Sequence, residues 1–188
     1  MQTEPIRDKS KLRQFAGYFL RRGQLRNYVL VVLGVYTALR ISDLLRLTWD
    51  DVYDESGGDF YPHIELTEKK TGKPKLIALN RKAVSALMLL LPCRRGPFIF
   101  ANNRKARAPI SRVQAWRIIK AAASALKLAG RIACHSLRKT FGYQAWVTGA
   151  SPVVLMDIYN HSSYEMTRRY LGVAQDDRDK VYMDLALF

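Results

Sequence analysis

The 188-residue sequence has few cysteines and no long apolar run. Only Cys93 and Cys134 are present, too few for a disulfide-stapled fold, so we expect a reducing, cytoplasmic setting. The most apolar run, residues 28–39, is flanked by arginines and is too short to cross a bilayer. Polar and charged residues follow Met1, so no signal peptide is expected. These absences argue against a secreted or membrane-bound protein.

Motifs for metal and nucleotide binding are also missing. The sequence shows no glycine-rich phosphate loop, no zinc-ligand spacing and no acidic cluster of the metal-dependent nuclease type. Cys134, His135 and His161 are fewer than the four ligands of a structural zinc site, and their spacing is wrong for one. We therefore expect no metal and no other cofactor.

Acidic residues are scarce compared with basic ones. Lysine and arginine number 31 against 16 aspartates and glutamates, which gives a net charge of +15. Such an excess favours a polyanionic partner, because phosphate binding releases counterions and the positive field steers association. The basic residues are spread along the chain and not gathered in a tail, which favours nucleic acid over a membrane surface.

Hydrophobic periodicity predicts a mostly helical α+β fold. Residues 63–80 alternate apolar and polar side chains on both sides of Thr71-Gly72, which predicts a small antiparallel hairpin inserted near residues 60–80. Ser42 and Ser162 are expected to cap helices. Helical spacing or capping signals cover residues 8–22, 26–39, 81–91, 111–128, 135–149 and 151–161.

Two stretches in the first half of the chain carry candidate chemistry. In "TALRISDLL", Arg40 emerges from a buried helix, and Asp43 is available to hold its guanidinium as an internal ion pair. In "EKKTGKPK", a lysine-rich turn is either solvated or reaches into a DNA groove, where one lysine can donate a proton. Taken alone, each stretch leaves both interpretations open.

Two further stretches lie in the second half. In "CHSLRKTFG", His135 and Arg138 share one helical face, so both can reach a single phosphate. In "NHSSYEMTRRYL", Tyr170 follows His161 at a distance of nine residues. Tyr164, Met166 and Leu171 are expected in the core.

The four stretches, in this order and spacing, resemble the catalytic domain of the tyrosine recombinases, the phage-integrase family. The family pattern runs Arg, Lys, His-x-x-Arg, His or Trp, Tyr, and the match covers residues from about 26 to 170. Asn160 stands where the family commonly has glycine. The resemblance implies a helical catalytic domain with a small antiparallel sheet, which breaks and rejoins DNA through a 3′-phosphotyrosine without metal or ATP.

The resemblance also implies roles for individual residues. The catalytic set would be Arg40, Lys70, His135, Arg138, His161 and Tyr170. The two arginines would clamp the phosphate, His161 would add a donor, His135 would exchange the phenolic proton and Tyr170 would attack. Lys70 would be the general acid, with Lys69 and Lys73 as neighbours, and Asp43 would hold Arg40. The expected DNA contacts are Lys69, Lys73, Lys75, Lys139, Arg168 and Arg169.

The expected organisation has three parts. Residues 1–25 form an N-terminal helix leading into the core, 26–172 the catalytic domain, and 173–188 a C-terminal tail, and no N-terminal DNA-clamping domain is expected. The tail packs either on its own domain or in trans on the next protomer, through Val181, Leu185, Leu187 and Phe188. The expected partners are double-stranded DNA, further copies of the chain, from dimer to tetramer, and accessory DNA-bending proteins.

Three functions compete at this stage. The main hypothesis is site-specific recombination by integration, excision, inversion or resolution. A type IB topoisomerase uses a closely similar Arg, Lys, Arg, His, Tyr set to relax supercoils. A non-catalytic DNA-binding regulator on the same fold is the third, although such a protein would be expected to have lost one of the six positions.

Overall fold

The computed structural model describes residues 3–105, 107–171 and 175–185, without the side chains of residues 169, 175, 176 and 180. The fold is α+β and mostly α, as predicted. The helices are α1 (Lys9–Leu20), α2 (Leu25–Tyr36), α3 (Ile41–Leu44), α4 (Arg81–Leu90), α5 (Arg112–Ala125), α6 (Cys134–Val147), α7 (Pro152–Tyr159), α8 (Tyr164–Leu171) and α9 (Gln175–Asp184). The strands are β1 (Tyr53–Asp54), β2 (Asp59–Phe60), β3 (His63–Thr67) and β4 (Pro74–Ala78). No helix in these described ranges is long and apolar enough to cross a bilayer.

Helix α2 is the centre of the core. Its residues from Val29 to Val35 are all buried, and it packs against α1, α4 and α6. Gly34 lets α6 approach closely, because a Cβ atom there would lie 2.6 Å from Cδ1 of Leu137. This contact sets Arg138, the next residue of α6, beside the chain that leaves the end of α2. The packing of two apolar helices therefore brings Arg40 and Arg138 to the same end of the domain.

The predicted hairpin is confirmed. Strands β3 and β4 pair antiparallel, with Ile64 opposite Ile77 and Thr67 opposite Pro74. Both isoleucines are buried in the core, so the other face of the hairpin is turned to solvent. Gly72 has a φ of 65° at the turn, a conformation that glycine adopts without steric cost. The two-residue pair β1–β2 was not predicted, because such short strands leave no readable alternation.

Several local expectations were wrong. Helix α3 is one turn long and begins after Arg40, so Arg40 and not Ser42 is its N-cap. Ser163 precedes α8 and accepts from the Met166 amide at 3.4 Å, which replaces Ser162 as the capping residue. Leu171 is buried as expected, but Tyr164 and Met166 are 49% and 42% exposed.

Candidate active site

The site begins at a strained turn after α2. Ala38 has a φ of 53° and is completely buried, although this left-handed conformation costs roughly 1–2 kcal/mol for a residue with a Cβ atom. The turn directs the Ala38 carbonyl oxygen to Nη1 of Arg138, which donates to it. Arg40 follows two residues later. The strain therefore occurs at the point where the two arginines meet.

Arg138 is held by backbone carbonyls on two sides. Besides Ala38, the Tyr159 carbonyl accepts from Nη2 of Arg138 at 3.0 Å, and the guanidinium is 1% exposed. Tyr159 also donates its hydroxyl to the Arg138 carbonyl at 2.8 Å and sets its ring 4.6 Å from Cζ. Sequence reasoning missed this role of Tyr159. The available signal was Gly142, where a Cβ atom would collide with the Tyr159 hydroxyl.

The carboxylate that holds Arg40 is Glu68, which sequence reasoning also missed. Glu68 is completely buried, and its Oε2 lies 2.7 Å from Nη1 of Arg40 and accepts from Nδ2 of Asn160 at 3.0 Å. Burial raises the pKa of Glu68, but the contacts with Arg40, Asn160 and Thr71 outweigh burial and lower it to about 2. Glu68 is therefore ionised at neutral pH.

The prediction that Asp43 holds Arg40 is contradicted. Oδ1 of Asp43 accepts from the backbone N–H of Lys69 at 3.0 Å, and the cation beside it is Arg46 at 3.9 Å. Asp43 lies one turn into α3, where its buried side chain reaches the backbone of the hairpin instead of the guanidinium. Asp43 therefore anchors the hairpin to the start of α3.

The lysines of the hairpin divide into two groups. Lys69, Lys70 and Lys73 are exposed near the turn. Lys75, which was expected to contact DNA from the surface, has a side chain only 8% exposed, with its ammonium bonded to the Ile158 carbonyl and 3.5 Å from Oε1 of Glu68. Burial, and secondarily the charge of Arg138, lower the pKa of Lys75 to about 8, although Glu68 opposes that shift. Lys75 therefore belongs to the interior of the site.

The other expected DNA contacts have mixed outcomes. The assignment of Lys139 is contradicted, because its side chain is buried and its ammonium donates to the Thr3 carbonyl at 2.7 Å. Arg168 is exposed on α8. The side chain of Arg169 lies outside the part of the chain that the structure describes.

Two neutral histidines flank Tyr170. The ring centroid of Tyr170 lies 4.9 Å from that of His135 and 4.6 Å from that of His161. Burial, and then the charge of Arg138, lower the pKa of each imidazole to about 4. The buried hydroxyl of Thr167 lies 3.0 Å from Nδ1 of His161 and orients the ring. Both imidazoles are therefore uncharged at neutral pH, when they can accept a proton.

Tyr170 lies in the site of its own chain. Its ring is half-buried, 5.1 Å from the Tyr159 ring and 5.8 Å from Cζ of Arg138. The structure thus brings Arg40, His135, Arg138, His161 and Tyr170 together, while Lys70 stays exposed on the hairpin. In the described ranges, no group of three or more His, Cys, Asp or Glu residues is arranged to hold a metal ion.

A helical domain in which two arginines, two histidines and a tyrosine converge defines the class of the tyrosine recombinases, which are DNA breaking-rejoining enzymes. The sequence model "Phage integrase family" matches residues 8–176. The chain is 36% identical over 181 residues to "Probable integrase/recombinase YoeC" of Bacillus subtilis (strain 168), covering 96% of this chain and 95% of that protein. It is 32% identical over 158 residues to "Tyrosine recombinase XerD" of Mycobacterium leprae (strain TN), covering 78% of this chain and 48% of XerD. This chain belongs to the phage integrase family.

Solved structures show the same fold. XerA recombinase has a TM-score of 0.78 at 20% identity, and the match covers 97% of this chain and 64% of XerA. XerH site-specific recombinase, in a post-cleavage complex with its palindromic difH substrate, has a TM-score of 0.77 at 18% identity, covering 96% of this chain and 53% of XerH. The chain therefore spans nearly all of YoeC but about half to two thirds of these larger recombinases.

Proposed function

We propose that this chain is a site-specific recombinase that cuts and rejoins double-stranded DNA through a 3′-phosphotyrosine on Tyr170. One observation carries the proposal: the Tyr170 ring lies among His135, His161 and Arg138 of the same chain. A phenol is a weak nucleophile at neutral pH, so attack needs a base that takes its proton and cations that stabilise charge on the phosphate. The site supplies both a base and the cations that attack on a phosphodiester requires.

The arginine pair would stabilise charge on the phosphate. As the phenolic oxygen bonds to phosphorus, the non-bridging oxygens gain negative charge, and fixed donors that meet this charge lower the barrier. Arg138 is fixed by the carbonyls of Ala38 and Tyr159, and Arg40 by Glu68. Planar guanidiniums can donate two parallel hydrogen bonds, which a lysine ammonium cannot do.

Proton transfers would complete the cleavage step. The phenolic proton passes to the uncharged imidazole of His135, the Tyr170 oxygen bonds to phosphorus, and the bond from phosphorus to the 5′-oxygen breaks. The leaving 5′-oxygen takes a proton from a general acid. Attack by a 5′-hydroxyl of another strand reverses these transfers and releases Tyr170, so the phosphodiester is restored without an external energy source.

Two lysines are candidates for the general acid. Lys70 occupies the position in the hairpin that the family pattern assigns, and its exposed ammonium is free to approach a bound DNA strand. Lys75 is already inside the site with a pKa of about 8, close to the value that suits proton donation at neutral pH. We assign the acid to Lys70 and a phosphate-binding role to Lys75, because Lys75 is committed to Ile158 and Glu68.

Basic clefts support DNA contacts beyond the site. At the start of α2, Arg26 lies between a cleft that includes Arg94 and Arg95 and another that includes Arg104 and Arg117. Helix α2 has 12 residues, so this surface lies roughly 18 Å from the strained turn that precedes Arg40. A duplex that contacts both ends would meet positive charge along its backbone, as expected for phosphate binding. We place this activity in the cytoplasm, on DNA.

Further copies of the chain and accessory DNA-bending proteins remain the proposed protein partners. A λ integrase dimer bound to a COC′ core site shares the fold, with a TM-score of 0.72, which supports assembly on DNA. In the tail, Asp177 lies 3.7 Å from Arg7 and 3.5 Å from the Tyr143 hydroxyl of the same chain. Val181 and Leu185 are 65% and 62% exposed, which suits docking in trans, whereas Leu187 and Phe188 lie outside the described residues.

The relatives favour recombination over the competing functions. YoeC and XerD are named as recombinases, which supports strand exchange over simple relaxation of supercoils. All six family positions are occupied in this chain, which argues against a regulator that has lost catalysis.

The decisive experiment replaces the nucleophile. Tyr170→Phe should keep DNA affinity and lose the covalent adduct on a nicked duplex that traps the phosphotyrosine, because only the phenolic oxygen is removed. Tyr164→Phe, on the same helix but half-exposed, is the matched control and should keep both. Denaturing gels and peptide mapping measure the adduct. An adduct that persists in Tyr170→Phe, or maps to another residue, would contradict the proposal.

A further inference from the structure

Glu68 is a buried acid in a strongly basic protein, and it takes no part in the proposed proton transfers. It directly follows β3 and precedes the exposed Lys69 and Lys70 of the turn, yet its own side chain is completely inaccessible. A carboxylate is costly to bury unless cations and donors surround it. The groups around Glu68 therefore indicate which cations the carboxylate stabilises.

The contacts of Glu68 come from four separate segments. Oε2 meets Arg40 at the start of α3 at 2.7 Å, Asn160 at the end of α7 at 3.0 Å, and the Thr71 hydroxyl in the hairpin turn at 2.8 Å. Oε1 lies 3.5 Å from the ammonium of Lys75 and 4.0 Å from Nη1 of Arg138. One carboxylate thus lies within 4.0 Å of three cations of the site, Arg40, Lys75 and Arg138.

The backbone of Glu68 also closes the hairpin. Its N–H donates to the Lys73 carbonyl at 3.0 Å, and its carbonyl accepts from Gly72 at 2.9 Å. Lys69 and Lys70 lie between these two bonds, so the loop with the proposed general acid starts at the residue that holds Arg40. Movement of the hairpin and orientation of Arg40 are therefore linked through one residue.

Asn160 fits this arrangement. It has a φ of 52° and ends α7, a left-handed position at which asparagine is tolerated. Glycine in its place would lack the amide that donates to Oε2 of Glu68. The departure from the family's common glycine thus coincides with a buried acceptor.

We propose that Glu68 is a positioning residue for strand cleavage, which holds Arg40 and Lys75 in their phosphate-binding orientation and couples them to the hairpin. The proposal rests on the recombinase function proposed above. Without the carboxylate, Arg40, Lys75 and Arg138 would be close like charges, and Arg40 and Lys75 would lose the group that orients them. The phosphate would still be attracted by the basic surface, but the fixed donors would be lost.

The test compares Glu68→Gln with Glu65→Gln, an exposed glutamate of β3, the strand that Glu68 follows, so both variants remove one negative charge. For Glu68→Gln, we expect single-turnover cleavage about 10- to 100-fold slower, the penalty of misplaced groups, with DNA Kd within about threefold. Glu65→Gln should match the wild type in both. Glu68→Asp should recover part of the rate, since it restores the charge with a shorter reach.

A second measurement does not depend on cleavage. The pKa of Lys75, followed by NMR of its side-chain nitrogen without DNA, should fall in Glu68→Gln and stay unchanged in Glu65→Gln, because Glu68 opposes the downward shift. If the wild type forms no covalent adduct, the recombinase proposal fails, while this titration still decides whether Glu68 holds Lys75. Should Glu68→Gln not fold, Thr71→Val removes one donor from the exposed turn, and a smaller loss of rate is expected.

Three outcomes would overturn the proposal. Glu68→Gln that cleaves like Glu65→Gln would show that the carboxylate has no influence on the cations. A loss of rate that only follows a loss of affinity would indicate a general binding defect. Faster cleavage would mean that Glu68 occupies the phosphate position and must be displaced.

Discussion

The two arginines and the lysines near the hairpin turn contrast in how they are held. Arg138 is 1% exposed and is fixed by two backbone carbonyls, while the side chain of Arg40 is 18% exposed and paired with Glu68. Lys69, Lys70 and Lys73 project into solvent from the turn between the five-residue strands β3 and β4. Both groups carry positive charge, but only the arginines are fixed before DNA arrives.

The contrast matches two physical tasks. Stabilising charge on phosphorus works best with donors that need no reorganisation during the reaction. Proton donation to a leaving oxygen needs an ammonium that can adjust to the strand, for which a flexible lysine is suited. The molecule therefore fixes its two arginines beside helices α3 and α6 and leaves Lys69, Lys70 and Lys73 adjustable near the hairpin turn.

The largest effect should come from replacing one of the two fixed arginines. Arg138→Lys keeps the charge but removes the planar fork that bonds both Ala38 and Tyr159. We expect cleavage to fall by about 10³-fold or more, as for loss of a preorganised donor, with DNA affinity nearly unchanged. Single-turnover cleavage and fluorescence anisotropy measure the two quantities.

Arg117→Lys is the control for this prediction, since Arg117 is exposed beside the distant cleft. It should leave the cleavage rate unchanged. If Arg138→Lys weakens binding and cleavage equally, Arg138 is a phosphate anchor and not a charge stabiliser. Thermal unfolding of both variants separates either result from a loss of folded protein.

Replacing an exposed lysine near the hairpin turn should give an intermediate effect. Lys70→Ala is expected to slow cleavage about 10²-fold, a typical contribution of a general acid. A 5′-bridging phosphorothiolate should restore most of that rate, because the sulfur leaving group needs no proton. Lys75→Ala should slow both substrates equally, since it removes a phosphate contact.

Rescue of Lys75→Ala and not of Lys70→Ala would reverse the assignment and make the buried lysine the acid. Lys73→Ala, at the same exposed turn, is the control and should respond like the wild type on both substrates. The comparison thus tests whether proton donation belongs to the mobile group.

The hairpin and the surroundings of the two arginines also differ in how well the sequence predicts them. The hairpin with its turn at Gly72 and the helices follow from periodicity, and the positions of Arg40 and Arg138 follow from the order of short stretches. The partners of those arginines do not. Ala38 acts through its carbonyl, and Tyr159 through a hydroxyl and a carbonyl, neither of which leaves a pattern in residue type.

Glu68 and Asp43 show the same limit in side chains. Asp43 is three residues from Arg40, so local spacing favoured it, whereas Glu68 reaches Arg40 only because the hairpin folds back onto α3. Lys139 was expected to contact DNA. Its ammonium is used by the chain near Thr3, a contact across 136 positions. Long-range pairing of this kind requires the fold.

The smallest effect concerns the pH dependence of stability. Here the comparison is between the two histidines in the site and the exposed histidine on the hairpin. His135 and His161 lie in the site with pKa values lowered to about 4 from 6.5, while His63 is exposed on the hairpin. Because the unfolded chain binds these protons more tightly, their contribution to the free energy of unfolding is complete above about pH 6.5 and declines as pH falls toward 4. Urea unfolding at a series of pH values measures the slope.

His161→Gln should flatten that slope between about pH 6.5 and 4, and His63→Gln should leave it unchanged. Glu68 does not obscure the result, since its pKa is lowered from 4.5 to about 2 and its contribution declines in that more acidic window. A slope that His63→Gln flattens as much as His161→Gln would mean that the site histidines are solvated like the one on the hairpin. The imidazoles beside Tyr170 would then not be buried and uncharged, as the proposed role of His135 as a base requires. The contrast between groups fixed in the site and groups free on the hairpin would lose its support.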